Sequence, residues 1–115
     1  MKIAFAAEGE GISASLAYHF GRCPYYVFVE LESNNIKSTT TKKNPFFNKH
    51  EEGSVPKFIA GEKAKIMITG GIGPKAIEWF DKLGIIVITA KPKELTAVLK
   101  DYLDGKLSGA KSCRT

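Results

Sequence analysis

Residues 18–24 (Tyr18-His19-Phe20-Gly21-Arg22-Cys23-Pro24) bring an imidazole, a guanidinium and a thiol within five positions of one another. The chain holds two histidines and two cysteines, and its only arginines are Arg22 and Arg114, so one of each scarce type falls in this segment. Imidazole and thiolate are the side chains that soft and borderline metals take, and a guanidinium neutralises and hydrogen-bonds anions. His19 and Cys23 are therefore candidate metal ligands, with Arg22 a candidate anion contact. Each has a plainer alternative. His19 can be a hydrogen-bonded structural residue, Arg22 can pair with a nearby carboxylate, and Cys23 can be a small buried hydrophobe. Cysteine nucleophile chemistry fits less well, because no Asn, Asp or Glu stands beside His19 in sequence to orient it.

Two glycine loops add to the inventory. Gly9-Glu10-Gly11-Ile12-Ser13-Ala14 and Gly71-Ile72-Gly73-Pro74-Lys75-Ala76 both fit G-x-G-x-x-A. In the second, Gly70, Gly71 and Gly73 let backbone N–H groups approach a ligand, while Pro74 opens a helix whose positive end favours anions. Ser13 is the polar candidate of the first. A tight strand-to-helix turn is the alternative for the glycines. Dinucleotide binding is disfavoured, because the next strand ends at Ala90-Lys91 without the acidic residue that would hold a ribose. His50 suits a solvated loop, and Cys113 is either an idle terminal thiol or one that swings toward a bound metal. Phe46 and Phe47 either cover a crevice, meet a partner or join the core, and Trp79 suits packing.

The elements that must position these groups follow from periodicity. Residues 2–7 form a short buried strand, and 25–32 and 36–43 a hairpin around the turn residues Ser33-Asn34-Asn35. A helix is expected over 54–63, a strand over 65–69 and an amphipathic helix over 74–83 that buries Ala76, Ile77, Phe80 and Leu83. A strand over 85–90 and a helix over 92–103 complete the series. The second half thus reads β-α-β-α, the pattern of parallel strands. The whole is an α/β fold with a mixed five-stranded sheet in the order 3-2-1-4-5, its second strand antiparallel to its neighbours, and helices on both faces. Ligands in such sheets sit beyond the carboxyl ends of parallel strands, here between the first and fourth. Residues 1–107 make one domain, and 108–115 a flexible basic tail.

Composition sets outer limits. The 115 residues are one ordinary domain's worth, and 43% hydrophobic with 25% charged residues excludes global disorder and a disulfide scaffold. The longest apolar run, 85–90, falls far below the ~18 residues of a membrane span, and the N-terminus lacks a signal-peptide pattern, so a cytoplasmic protein is expected. The net charge is +5. It is carried almost wholly by lysine, which suits solvation and mild attraction of anions better than base recognition, and no nucleic-acid partner is expected. The Lys/Glu-rich, Gln-free composition is also that of heat-adapted proteins.

The order of a first strand, a Gly/Ser loop, His19-Phe20-Gly21-Arg22-Cys23 entering an aromatic strand, Gly70-Gly71-Ile72-Gly73 with Ala76, then Gly84-Ile85 and Tyr102-Leu103 before Gly105-Lys106-Leu107, resembles the dinitrogenase iron-molybdenum cofactor biosynthesis family. That family includes NifX-like and NafY-like proteins and the C-terminal domain of NifB-like proteins, and the resemblance spans about residues 1–107. It implies a ribonuclease H-like three-layer α/β/α fold. It also implies non-enzymatic binding or carriage of an iron-sulfur or iron-molybdenum cluster or precursor, exchanged with donor and acceptor proteins. His19 is then the ligand carried over, with Arg22 and the glycine loop beside the anionic cluster. Nuclease activity does not follow, because strands 2–7 and 65–69 contain no carboxylates to hold divalent ions. Two other classes remain open from the residues alone: an enzyme or regulator acting on a small phosphorylated or nucleotide ligand at the same glycine loop, and a protein-interaction module using Phe46, Phe47 and the hairpin edge.

Overall fold

Alternation along β1 (Lys2–Ala7) decides how the layers form. Ile3, Phe5 and Ala7 point to one face of the sheet and Ala4 and Ala6 to the other, and all five are fully buried. The computed structural model describes residues 1–46 and 53–107. After β1 come β2 (Tyr25–Glu32), β3 (Asn35–Lys43), α1 (Ser54–Gly61), β4 (Ile66–Thr69), α2 (Pro74–Lys82), β5 (Ile86–Thr89) and α3 (Leu95–Leu103). The sheet order is β3-β2-β1-β4-β5, with β2 antiparallel to β1 and β3, and β4 parallel to β1 and β5. On one face, Val55 and Ile59 of α1 and Phe80 of α2 pack with Tyr26, Phe28 and Met67; on the other, Leu95, Val98 and Leu99 of α3 pack with Phe5, Val27, Val29 and Ile68. The expected topology and two-sided cover are both present. No helix among the described residues is long and apolar enough to cross a membrane.

The hairpin closes through Ser33 and Asn34, both at positive φ, the pairing that lets a two-residue turn follow strand twist. β3 is exposed along nearly its whole length and rich in Thr and Lys, which keeps an open sheet edge soluble.

Three expected helix boundaries move, two for local reasons and one through bonds to a distant segment. The second helix ends at Lys82, and Leu83, expected inward, is 36% exposed. Gly84 adopts φ 75, Gly84 N–H donates to Asp81 and Ile85 N–H to Phe80, so Ile85 takes the core position beside Phe80. The helix expected over 54–63 ends at Gly61, and Lys63 turns out at φ 67. The helix expected to begin at 92 begins at Leu95, because Lys93 C=O accepts from Leu16 N–H, Ser15 bridges Glu94 and Leu95 N–H donates to Ala14 C=O.

Those bonds belong to the largest correction. The crevice expected between the ends of β1 and β4 is filled by the chain itself. Residues 14–20 run across it as a strap: Ala17 N–H donates to Ala6 C=O, Gly70 N–H donates to Ala17 C=O, and Phe20 N–H donates to Gly71 C=O. Short bridges pair Leu16 with Ala7 and His19 with Gly71. The strap extends hydrogen bonding past the strand ends and moves the open surface to its two sides.

Candidate functional site

Glycine at 70 is required by the strap, and Gly71 sits tightly against it. A Cβ on Gly70 would stand 2.7 Å from Tyr18 Cα and 2.9 Å from the Ala17 carbonyl, and one on Gly71 would stand 3.1 Å from the Tyr18 carbonyl. Gly73 faces open space, is exposed, and precedes Pro74 at the start of α2, whose first turn receives no side-chain cap. Of the three glycines, Gly73 is the one whose surroundings are free for a ligand.

On the α2 side of the strap lies a groove of about 580 Å³ lined by Tyr18, His19, Phe20, Gly21 and Arg22 opposite Gly71, Ile72 and Gly73. His19 and Arg22 are both exposed there. The Tyr18 ring, 58% exposed, meets the His19 ring edge to face at 4.8 Å between centroids. An imidazole, a guanidinium and the N-terminal end of α2 thus border one concavity, an arrangement that favours a ligand with negative charge.

The turn that presents these groups is held from beneath. The Phe20 carbonyl accepts hydrogen bonds from the Tyr26 hydroxyl at 2.6 Å and from the Cys23 thiol at 3.4 Å. Asn44, 5% exposed, donates from Nδ2 to the carbonyls of Cys23 at 2.9 Å and Gly21 at 3.4 Å, and its Oδ1 accepts from Phe46 N–H. Burial pushes the Cys23 thiol from its ordinary 9.0 up to about 11, and burial likewise raises the Tyr26 phenol. Cys23 is 2% exposed, belongs to the core cluster with Phe20 and Tyr26, and does not line the groove. The structure therefore separates it from His19 and Arg22, to which sequence proximity had joined it.

Ser13 is exposed and lines neither side of the strap; its loop leans on β3 through Gly11 N–H to Thr41 Oγ1 at 2.9 Å. Phe46 is half-buried against the core, and Trp79 packs under Gly53 with Lys57 and Lys82 over its ring. Phe47, His50 and Cys113 lie outside the described residues, as does the expected tail 108–115. Tyr26 and Asn44 were missed as supports. Tyr26 reads as a core aromatic in its strand and Asn44 as a residue at the strand end before Pro45, and neither local pattern shows the turn it supports; burial and hydrogen bonds reveal that only in the fold.

Among the described residues, no three His, Cys, Asp or Glu side chains gather to hold a metal ion. A bare cation needing a closed protein shell does not fit this donor set. A preassembled anionic group that brings most of its own ligands fits an imidazole, a guanidinium and the N-terminal end of α2.

Fold and groove together define a small α/β domain with a candidate site beside a strap laid across the strand ends. The family model described as dinitrogenase iron-molybdenum cofactor matches residues 1–105, and the chain belongs to that family. It is 35% identical over 109 residues to an uncharacterized protein of Methanocaldococcus jannaschii, covering 93% of this chain and 89% of the relative. The crystal structure of PH0822 superposes with a TM-score of 0.84 at 37% identity, covering 97% of this chain and 98% of the other. The apo form of the orange protein from Desulfovibrio gigas gives 0.85 at 26% identity, covering 95% and 92%.

Proposed function

We propose that this protein is a non-enzymatic carrier that binds an anionic iron-sulfur or iron-molybdenum cluster, or its precursor, in the groove between His19–Arg22 and Gly71–Gly73. The observation that carries this is the His19–Gly71 bridge with Phe20 N–H donating to Gly71, which holds the one exposed imidazole of the strap across from the start of α2. His19 supplies a ligand to the cargo and Arg22 balances its charge. Cys23, buried and protonated, serves to shape the turn instead of binding the cargo. Single-point attachment suits a carrier, since a cargo held by one imidazole and charge leaves when an acceptor protein offers more ligands. The ribonuclease H-like label that the family resemblance implies brings no nuclease chemistry here, because β1 and β4 carry no acidic side chain.

Anaerobic reconstitution with a cluster precursor, followed by gel filtration and visible absorbance, tests this. Wild type and Cys23→Ala retain the chromophore, and His19→Ala loses most of it. Equal retention by His19→Ala would remove His19 from the mechanism, and no retention by wild type would sink the carrier function.

A further inference from the structure

The strap has two sides, and the carrier reading uses only one. With the β1–β4 crevice filled by residues 14–20, the carboxyl ends of β4 and β5 remain open on the other side, the position at which parallel sheets expose ligand sites. A groove of about 500 Å³ lies there, bordered by Tyr18, Gly70, Thr89 to Lys93, Asp101 and Leu107. Tyr18 is common to both grooves and is the wall between them.

The charges of this second groove are not equivalent. The Lys93 ammonium pairs with the Asp101 carboxylate, which pins it to α3. Lys91 is exposed and has no ion-pair partner among the described residues. Lys106 and Lys100 also lie near Asp101, but Lys100 pairs with the Asp104 carboxylate, so of the lysines lining the groove Lys91 is the one left without an ion pair among the described residues. Ala90, Pro92, Leu107 and the Tyr18 ring supply apolar surface, and the Thr89 side chain a hydroxyl. Lysine acts as a point charge and selects charge more than shape.

We propose that this groove is a second, separate site for a small organic anion carrying carboxylates or a phosphate, with Lys91 as its principal cation and Tyr18 dividing it from the His19 groove. Its ligand is distinct from the carried cluster, so the site stands or falls independently of the carrier function.

Titration of the ¹⁵N-labelled full chain with citrate and, separately, with inorganic phosphate, at ionic strength matched with chloride, tests it. Saturable amide shifts are expected at Thr89 to Lys93 and Tyr18. Lys91→Glu should weaken binding at least about 10-fold, whereas Lys37→Glu, the same charge change on the exposed β3 strand away from both grooves, should leave it unchanged. Tighter citrate binding assigns the site to polycarboxylates, and tighter phosphate binding assigns it to phosphorylated compounds. Shifts centred on His19 to Arg22 and Gly71 to Gly73, no saturable binding of either probe, or an unaltered affinity in Lys91→Glu would each overturn the proposal.

Discussion

The Tyr26 hydroxyl reaches up from β2 and donates a 2.6 Å hydrogen bond to the carbonyl of Phe20, the residue between His19 and Gly21 in the turn that forms one wall of the groove. The same two rings lie 6.0 Å apart in the core. A side chain anchored in the sheet thereby sets the height and direction of the backbone that presents the imidazole. Tyr26→Phe keeps the ring and removes the bond. Loss of one buried partner from a carbonyl costs about 1 to 2 kcal/mol. Denaturant unfolding should show that loss, and retention of cluster should fall although no groove residue has changed. Unchanged stability together with unchanged retention would remove Tyr26 as a support.

Gly70→Ala and Gly73→Ala should separate the two roles of the glycine loop. At Gly70 the new methyl meets backbone atoms at 2.7 and 2.9 Å, and backbone cannot swing aside as a flexible side chain can. Forced displacement of the strap should cost roughly 1 to 3 kcal/mol. Gly73 has extended φ and ψ and open space around it, so alanine there should change stability by less than about 0.5 kcal/mol. Thermal unfolding of the pair measures the contrast, and equal effects would contradict the strap's role.

Asn44→Ala removes a buried side chain that serves the carbonyls of Gly21 and Cys23 and the N–H of Phe46. Buried groups left without partners cost about 1 to 3 kcal/mol, so this exposed-loop neighbour should be as sensitive as a core position. Amide exchange at Phe46 should accelerate in the variant; unaltered protection there would show that the bond is dispensable.

Cys23 links the site to alkaline pH. Its thiol holds its proton up to about 11 in the folded chain against an ordinary value of 9.0. A raised folded value means the stabilisation is complete below about pH 9 and is lost as pH rises toward 11, because the unfolded chain ionises first. The melting temperature should fall across that window, and Cys23→Ala should flatten the fall. In a Cys113→Ser background, alkylation of native protein at pH 8 should be at least about 100-fold slower than in denaturant, from the thiolate fraction alone. Rapid native labelling would show the thiol to be accessible.

Much of the architecture was legible from local pattern. The aromatic and β-branched run Tyr25–Glu32, the turn at Ser33-Asn34, Pro74 at a helix start and Gly84 past its end each specify conformation through their own sterics, so strand order and helix placement followed. Chain ends of elements were less legible where tertiary bonds claim the backbone, as at Lys93 to Leu95. The segment His19 to Cys23 was marked by its scarce residue types, but its division was invisible. The turn sends His19 and Arg22 outward and Cys23 inward to the Phe20 carbonyl, and that depends on Tyr26 and Asn44, 7 and 25 residues from His19 by their numbering.

By itself, the sequence determined an α/β sheet in a given order, a cationic lysine surface and one polar segment able to meet an anion, because these rest on periodicity, turn sterics and residue chemistry that act over a few positions. Only the tertiary structure decided that residues 14–20 would occupy the β1–β4 crevice, that Gly70 would be needed for Tyr18 to cross it, and that two grooves would lie where one was expected. Backbone donors and acceptors at the strand ends must be satisfied once water is excluded, and which distant segment satisfies them is settled by folding as a whole.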